Sequence, residues 1–250
     1  MMRRLAMTGV ALAFMGAATA ALAAAKIVPP GREISVKTPV YEFTYSYPAA
    51  AGRIPALKAW LDKDAAEGQA SIAQSAREGK ADAKKEGYDF NSYDAETDWQ
   101  VVTDLPKWLS LSGTSGDYTG GAHPNHGPVA LLWNKVGGRK MDAVDLFTSK
   151  AALTKAIQAR FCAELNKQRE DKRGEAVNPK DLFGDCLDPA KEVVILGSTD
   201  RAHFTRIGVL MGPYEAGPYA EGDFEVTLPV TDAVIAAVKP EYRADFALGR

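Results

Sequence analysis

From Tyr41 to Tyr47 the aromatic residues Tyr41, Phe43, Tyr45 and Tyr47 alternate with Glu42, Thr44 and Ser46. A period of two predicts a half-buried strand, and Pro48 ends it. Residues 53–86 predict a long helix, because Ile54, Leu57, Trp60 and Leu61 fall at helical spacing. Beyond Ala65 the apolar stripe thins to Ile72 and alanines among Lys, Asp and Glu, so the second half reads as a solvated face or a marginal helix. Gly87 is its stop signal. Short apolar runs at 99–102, 108–111 and 129–133 predict strands, the last two separated by a glycine-rich loop at 113–127. The turn Gly137-Gly138 then leads into another strand at 139–141. Leu153, Ile157, Phe161 and Leu165 stand at steps of four and predict a second long helix, capped by Thr148 or Ser149. Runs at 193–196 and 207–211, and the alternation of Phe224, Val226 and Leu228, return the chain to β structure before a last helix at 232–238. Mixed order with close hairpins predicts an α+β fold: a mainly antiparallel sheet with two or three packed helices.

The N-terminus has a different pattern. Arg3 and Arg4 precede an apolar stretch from Leu5 to Ala18, and small residues fill 19–25. Basic, apolar, small is the order of a secretory signal peptide, with cleavage expected after Ala23. The stretch is short for a membrane span, which needs ~20 apolar residues. No cysteine stands at the cleavage site, so a lipoprotein is not expected. Residues 1–23 are thus read as signal peptide, and no membrane span is expected after its removal. The expected location is the periplasm or the exterior.

The composition is that of a globular chain, 46% hydrophobic and 25% charged. The net charge of −2 becomes slightly more negative once Arg3 and Arg4 leave. Without a basic stripe, nucleic-acid binding is not expected. The two cysteines, Cys162 and Cys186, form an even pair in an exported chain, which predicts a disulfide. It would close a loop of about 25 residues, worth ~3.5 kcal/mol in the chain-entropy picture. A pair of free thiols and a metal site are the alternatives.

Two segments carry a resemblance. One is Tyr118-Thr119-Gly120-Gly121-Ala122-His123, followed by Gly137-Gly138 and Asp145-Leu146-Phe147. The other is the loop from Pro213 to Gly222, with Tyr214 and Tyr219, ending in Val226-Thr227-Leu228-Pro229. Together they resemble the extracytoplasmic domains of unknown function of the anti-sigma factor RsiV and the peptidoglycan deacetylase PdaC. The strand and helix at 33–86 resemble the smaller domain that precedes them. The resemblance implies two domains here, 24–104 and 105–250. It also implies a ligand, since RsiV-like proteins bind lysozyme through this region and PdaC-like proteins carry it ahead of their catalytic domain. Neither the sigma-binding segment nor the deacetylase domain is recognised in this chain.

The candidate ligand-binding residues are therefore Tyr118, Gly120, Gly121, His123, Tyr214 and Tyr219. His123 and His126 have two readings: an acid–base or metal site, or a turn fixed by hydrogen bonds around glycines that permit positive φ. His203 is the remaining histidine. Tyr214 and Tyr219 suit recognition, as rigid area with a hydroxyl, or serve as core anchors. Glu215, Glu221 and Asp223 are solvated loop charge, or they steer a basic partner. No nucleophile elbow and no phosphate-binding loop is present, and no catalytic residue, metal or cofactor is expected. The expected function is a cell-envelope binding module for a lysozyme-like protein or peptidoglycan. The alternatives are a metal- or His-dependent periplasmic hydrolase and a structural envelope protein without a ligand.

Overall fold

A computed structural model describes residues 31–249, so the predicted signal peptide lies outside the described residues. The elements run β1 (Arg32–Lys37), β2 (Tyr41–Tyr47), the one-turn helix α1 (Ala49–Gly52), α2 (Pro55–Glu86), β3 (Tyr93–Asp104), β4 (Trp108–Tyr118), β5 (Asn125–Asn134) and β6 (Arg139–Met141). Then come α3 (Lys150–Arg173), β7 (Val193–Gly197), β8 (Arg206–Met211), β9 (Phe224–Pro229) and α4 (Asp232–Ala237). Strands β1 to β6 form one sheet in sequence order, and β7 to β9 form a second. Every pairing is antiparallel except β2 with β3, which α2 joins in parallel. The fold is α+β, as the mixed order of elements predicts. Among the described residues no helix is long and apolar enough to cross a membrane.

The alternation in β2 does what a period of two requires. Phe43, Tyr45 and Tyr47 are buried against α2, with Leu57, Leu61, Trp99, Leu109, Leu111, Leu131 and Trp133 in the same core. The tyrosine hydroxyls are not stranded there. Trp99 Nε1 donates to the Tyr45 hydroxyl, which donates to Asp64; the Tyr47 hydroxyl donates to Asp62. Burial raises the Tyr45 hydroxyl far above the ordinary phenol range, and its donation to Asp64 adds to this.

The second half of α2 corrects the sequence reading. The buried stripe does not stop after Ala65; it continues through Ile72, Ala76 and Ala83. Small residues let the helix lie close to the sheet, and at Gly79 a side chain would strike the Tyr93 ring. The 113–127 loop is also corrected. Gly113 and Gly116 lie within β4 and Gly127 within β5, so the connection is only 119–124. Glycine is a weak strand former, but here the backbone demands it: a Cβ at Gly113 would meet the carbonyl of Asp98 on β3.

A second core holds α3, α4 and the small sheet. Leu153, Ile157, Phe161 and Leu165 of α3 are buried against Val209, Met211, Phe224 and Val226. Ser149 caps α3 by accepting from Ala152 N. Cys162 and Cys186 are disulfide-bonded, with Cα atoms 5.5 Å apart. The bond ties the irregular segment after α3 back to the middle of that helix.

Candidate functional site

The two loops that carry the sequence motifs meet. The turn 119–124 between β4 and β5 brings His123 forward, and Gly120 adopts φ 90° to make that turn. The 213–222 segment between β8 and β9 brings Tyr214 and Tyr219 to the same place. Glycine allows the approach: a side chain at Gly212 would crowd Pro128, Gly127 and the carbonyl of His126.

The rings of His123 and Tyr219 lie 4.1 Å apart between centroids, those of Tyr214 and Tyr219 5.7 Å, and those of His123 and Tyr214 6.4 Å. Each pair is tilted rather than face to face, as aromatic quadrupoles prefer. His126 approaches Tyr219 edge-on at 6.1 Å. His123 Nδ1 donates to the carbonyl of Pro124 at 2.9 Å, and the Tyr219 hydroxyl donates to the same carbonyl at 3.0 Å. Because a carbonyl only accepts, Nδ1 carries the proton, and Nε2 faces the Tyr214 hydroxyl at 3.5 Å. Tyr219 is thus both part of the ring stack and the strut between the loops.

Tyr214 is different. Its side chain is 55% exposed, and its backbone sits at φ 68°. A bulky residue with positive φ carries a conformational cost and marks a position worth a functional reading. Local bonds hold the turn: Tyr214 N donates to Gly217 O, and Glu215 accepts from Gly212 N.

The last turns of α3 support this loop from below. Arg169 is fully buried; Nε donates to Ala216 O, and Nη1 to Asp185 O and Asn166. Burial lowers its pKa, and neighbouring Arg173 adds to that. Arg173 grips Glu221 with two bonds, Nε at 2.8 Å and Nη2 at 3.1 Å, the bidentate geometry that makes such pairs strong. Lys172 donates to the carbonyls of Glu221 and Asp223 and lies over the Phe224 ring. The acidic residues of the loop are therefore largely engaged: Glu221 with Arg173, Glu215 with Gly212 N, and Asp223 with His126 Nε2 at 3.1 Å.

The remaining candidates stand apart from the rings. Tyr118 ends β4 opposite Asp94. A side chain at Gly120 would meet the Tyr93 ring, and one at Gly121 would approach the His123 carbonyl. His203 is bound to Asp200, which also accepts from the backbone N–H groups of Ala202 and His203. Those bonds hold the Asp200 carboxyl well below the usual carboxylate range. Among the described residues no group of three or more His, Cys, Asp or Glu side chains is placed to hold a metal ion. The supporting residues Arg169 and Arg173 were not among the sequence candidates. A signal for Arg169 existed, since it continues the steps of four from Leu153 to Leu165 and so falls on the buried stripe.

The two sheets and their packed helices give an α+β architecture shared with a solved DUF3298 protein. A DUF3298 protein from Pseudomonas aeruginosa has a TM-score of 0.54 at 14% identity, over 88% of this chain and 97% of that one. A DUF3298 member from Bacteroides fragilis is 18% identical with a TM-score of 0.46, over 79% of this chain and 89% of that one. A family model described as deacetylase PdaC matches residues 34–126, from β1 to the start of β5. No curated protein matches the chain in sequence. The family match and the shared fold bear out the resemblance to PdaC- and RsiV-like domains of unknown function.

Proposed function

We propose that the chain is an extracytoplasmic binding module whose ligand docks on the ring stack of His123, Tyr214 and Tyr219. The observation that carries this reading is their convergence from two loops about ninety residues apart in sequence, with Tyr214 held outward at positive φ. Holding an exposed ring in a costly backbone conformation makes sense where the ring is used. The signal sequence expected at 1–23 and the disulfide both fit an oxidising compartment.

The ligand class follows from what the surface offers. Of the loop acids, Glu221 is paired with Arg173, while Glu215 and Asp223 keep oxygens able to accept sugar hydroxyls beside the flat aromatic area. Such a surface favours the pyranose rings of peptidoglycan, stacked on Tyr214. A lysozyme-like protein is the second reading. Mature chain incubated with insoluble peptidoglycan and with immobilised lysozyme tests both. Retention on peptidoglycan that Tyr214→Ala reduces at least tenfold is the expected result. Retention on lysozyme alone would select the second reading, and retention of folded protein on neither would overturn the proposal.

A further inference from the structure

A cavity of about 210 Å³ lies between the six-stranded sheet and β7, and none of its lining residues belongs to the aromatic site. The sequence creates it. One face of β4 and β5 carries Leu109, Leu111, Leu131 and Trp133, buried against α2. The alternate positions, toward β7, include Ser110 and Ala130, which are too small to close the gap. Leu132 and Val194 give the cavity apolar walls, and Asp142, Lys150 and Glu192 bring charge to it.

Two of those charges already have work. The Asp142 side chain caps the 3-10 turn Ala143–Leu146. Lys150 lies close enough to Asp188 to help depress its carboxyl, after the Thr154 hydroxyl and the Ala190 N–H that bond it. Glu192 is left over. It receives no hydrogen bond; burial, then Glu215 and Asp188, push its carboxyl up to about 7, and only Lys191 opposes them. Lys191 itself leans toward Asp188, 4.0 Å away. Glu192 is thus a half-buried acceptor that neither Lys150 nor Lys191 bonds, on the rim of a cavity with apolar walls.

We propose that this cavity binds a small organic cation, its ammonium on Glu192 and its apolar body against Leu132 and Val194. Size agrees. An apolar cavity of ~150 Å³ accepts benzene, so this one has room for a ring with an aminomethyl group. An anion would meet Glu192 and Asp142, with Lys150 alone to offset them. A neutral ligand of the same shape would leave the carboxylate unpaired.

Benzylammonium, with benzyl alcohol as its neutral counterpart, is the probe. Mature, disulfide-bonded protein is titrated at pH 8, where Glu192 is ionised, and followed by backbone amide NMR. The expected result is saturable benzylammonium binding, with shifts centred on Val193, Val194, Ile195 and Ala130. Benzyl alcohol is expected to bind at least ~10-fold more weakly, the scale of one charge-assisted bond. Glu192→Gln should lower benzylammonium affinity about tenfold while leaving benzyl alcohol unchanged, and Tyr214→Ala should alter neither. Lowering the pH to 5.5, where Glu192 holds its proton, should weaken the amine alone. No saturable shift at the cavity amides, or equal amine affinity in Glu192→Gln, would overturn the proposal. Because Tyr214 takes no part, failure here leaves the wall-binding reading untouched, and the reverse also holds.

Discussion

Glu192→Gln should stabilise the protein at pH 8 and do almost nothing at pH 4.5. The carboxyl is raised from 4.5 to about 7, first by burial and then by Glu215 and Asp188. At 1.36 kcal/mol for each pH unit between folded and unfolded values, the ceiling is about 3.4 kcal/mol. The group is only half-buried, so solvent screening brings the expected effect to about 1–2 kcal/mol. The sign follows from proton counting. Below pH 4.5 both states hold the proton and Glu192 costs nothing. Between 4.5 and 7 the unfolded chain releases its proton while the folded chain keeps it, so stability falls as pH rises. Above 7 the full cost is present. Glutamine has no proton to lose and escapes it. Urea unfolding of both proteins at pH 4.5, 6 and 8, at fixed ionic strength, reads the difference from the midpoints. A variant-minus-wild-type difference that stays constant across the three pH values would refute the reasoning, as would one that shrinks toward pH 8.

Gly68→Ala should raise stability by about 0.5–1 kcal/mol, since alanine is the better helix former and its methyl would only touch Phe43 at 3.4 Å. Gly79→Ala should lose that gain or reverse it, because Tyr93 would have to move; thermal unfolding of the two variants separates them. The double change Cys162→Ser with Cys186→Ser should cost about 2–4 kcal/mol in denaturant midpoint. Arg173→Ala should cost about 1–2 kcal/mol, because Glu221 loses a bidentate partner in a mostly buried place. It should also broaden the NMR signals of the Pro213–Gly222 segment.

Much of this fold was legible because burial writes a period into the sequence. The aromatic alternation of β2 and the steps of four in α3 each had one dominant face. The later half of α2 was not legible, because close packing there selects Ala and Gly, whose smallness hides the stripe from any reading of hydrophobicity. The central glycines of β4 and β5 were misread as loop for a related reason. Gly113 serves a neighbouring backbone rather than a turn, and one sequence does not show where a neighbouring strand will lie. The motif residues of the site could be picked out singly, and their meeting could not. It depends on Gly212 facing Gly127, and on Arg169 and Arg173 reaching loop residues 47 and 48 positions later. The costly backbone of Tyr214 had no signature beyond the glycines and prolines around it.

The parallel pairing of β2 with β3 gives the large sheet a seam. On one side lies the β1–β2 hairpin, and on the other the meander from β3 to β6, and short connections can close each of these by itself. The seam cannot close that way, because parallel neighbours require a long crossover. Here α2 is the crossover, and its small-residue stripe lays it across both halves. Assembly of the sheet therefore waits on one helix. A break in α2 would leave two ribbons, each with an open edge where the β2–β3 ladder had been, and no tether holding those edges together.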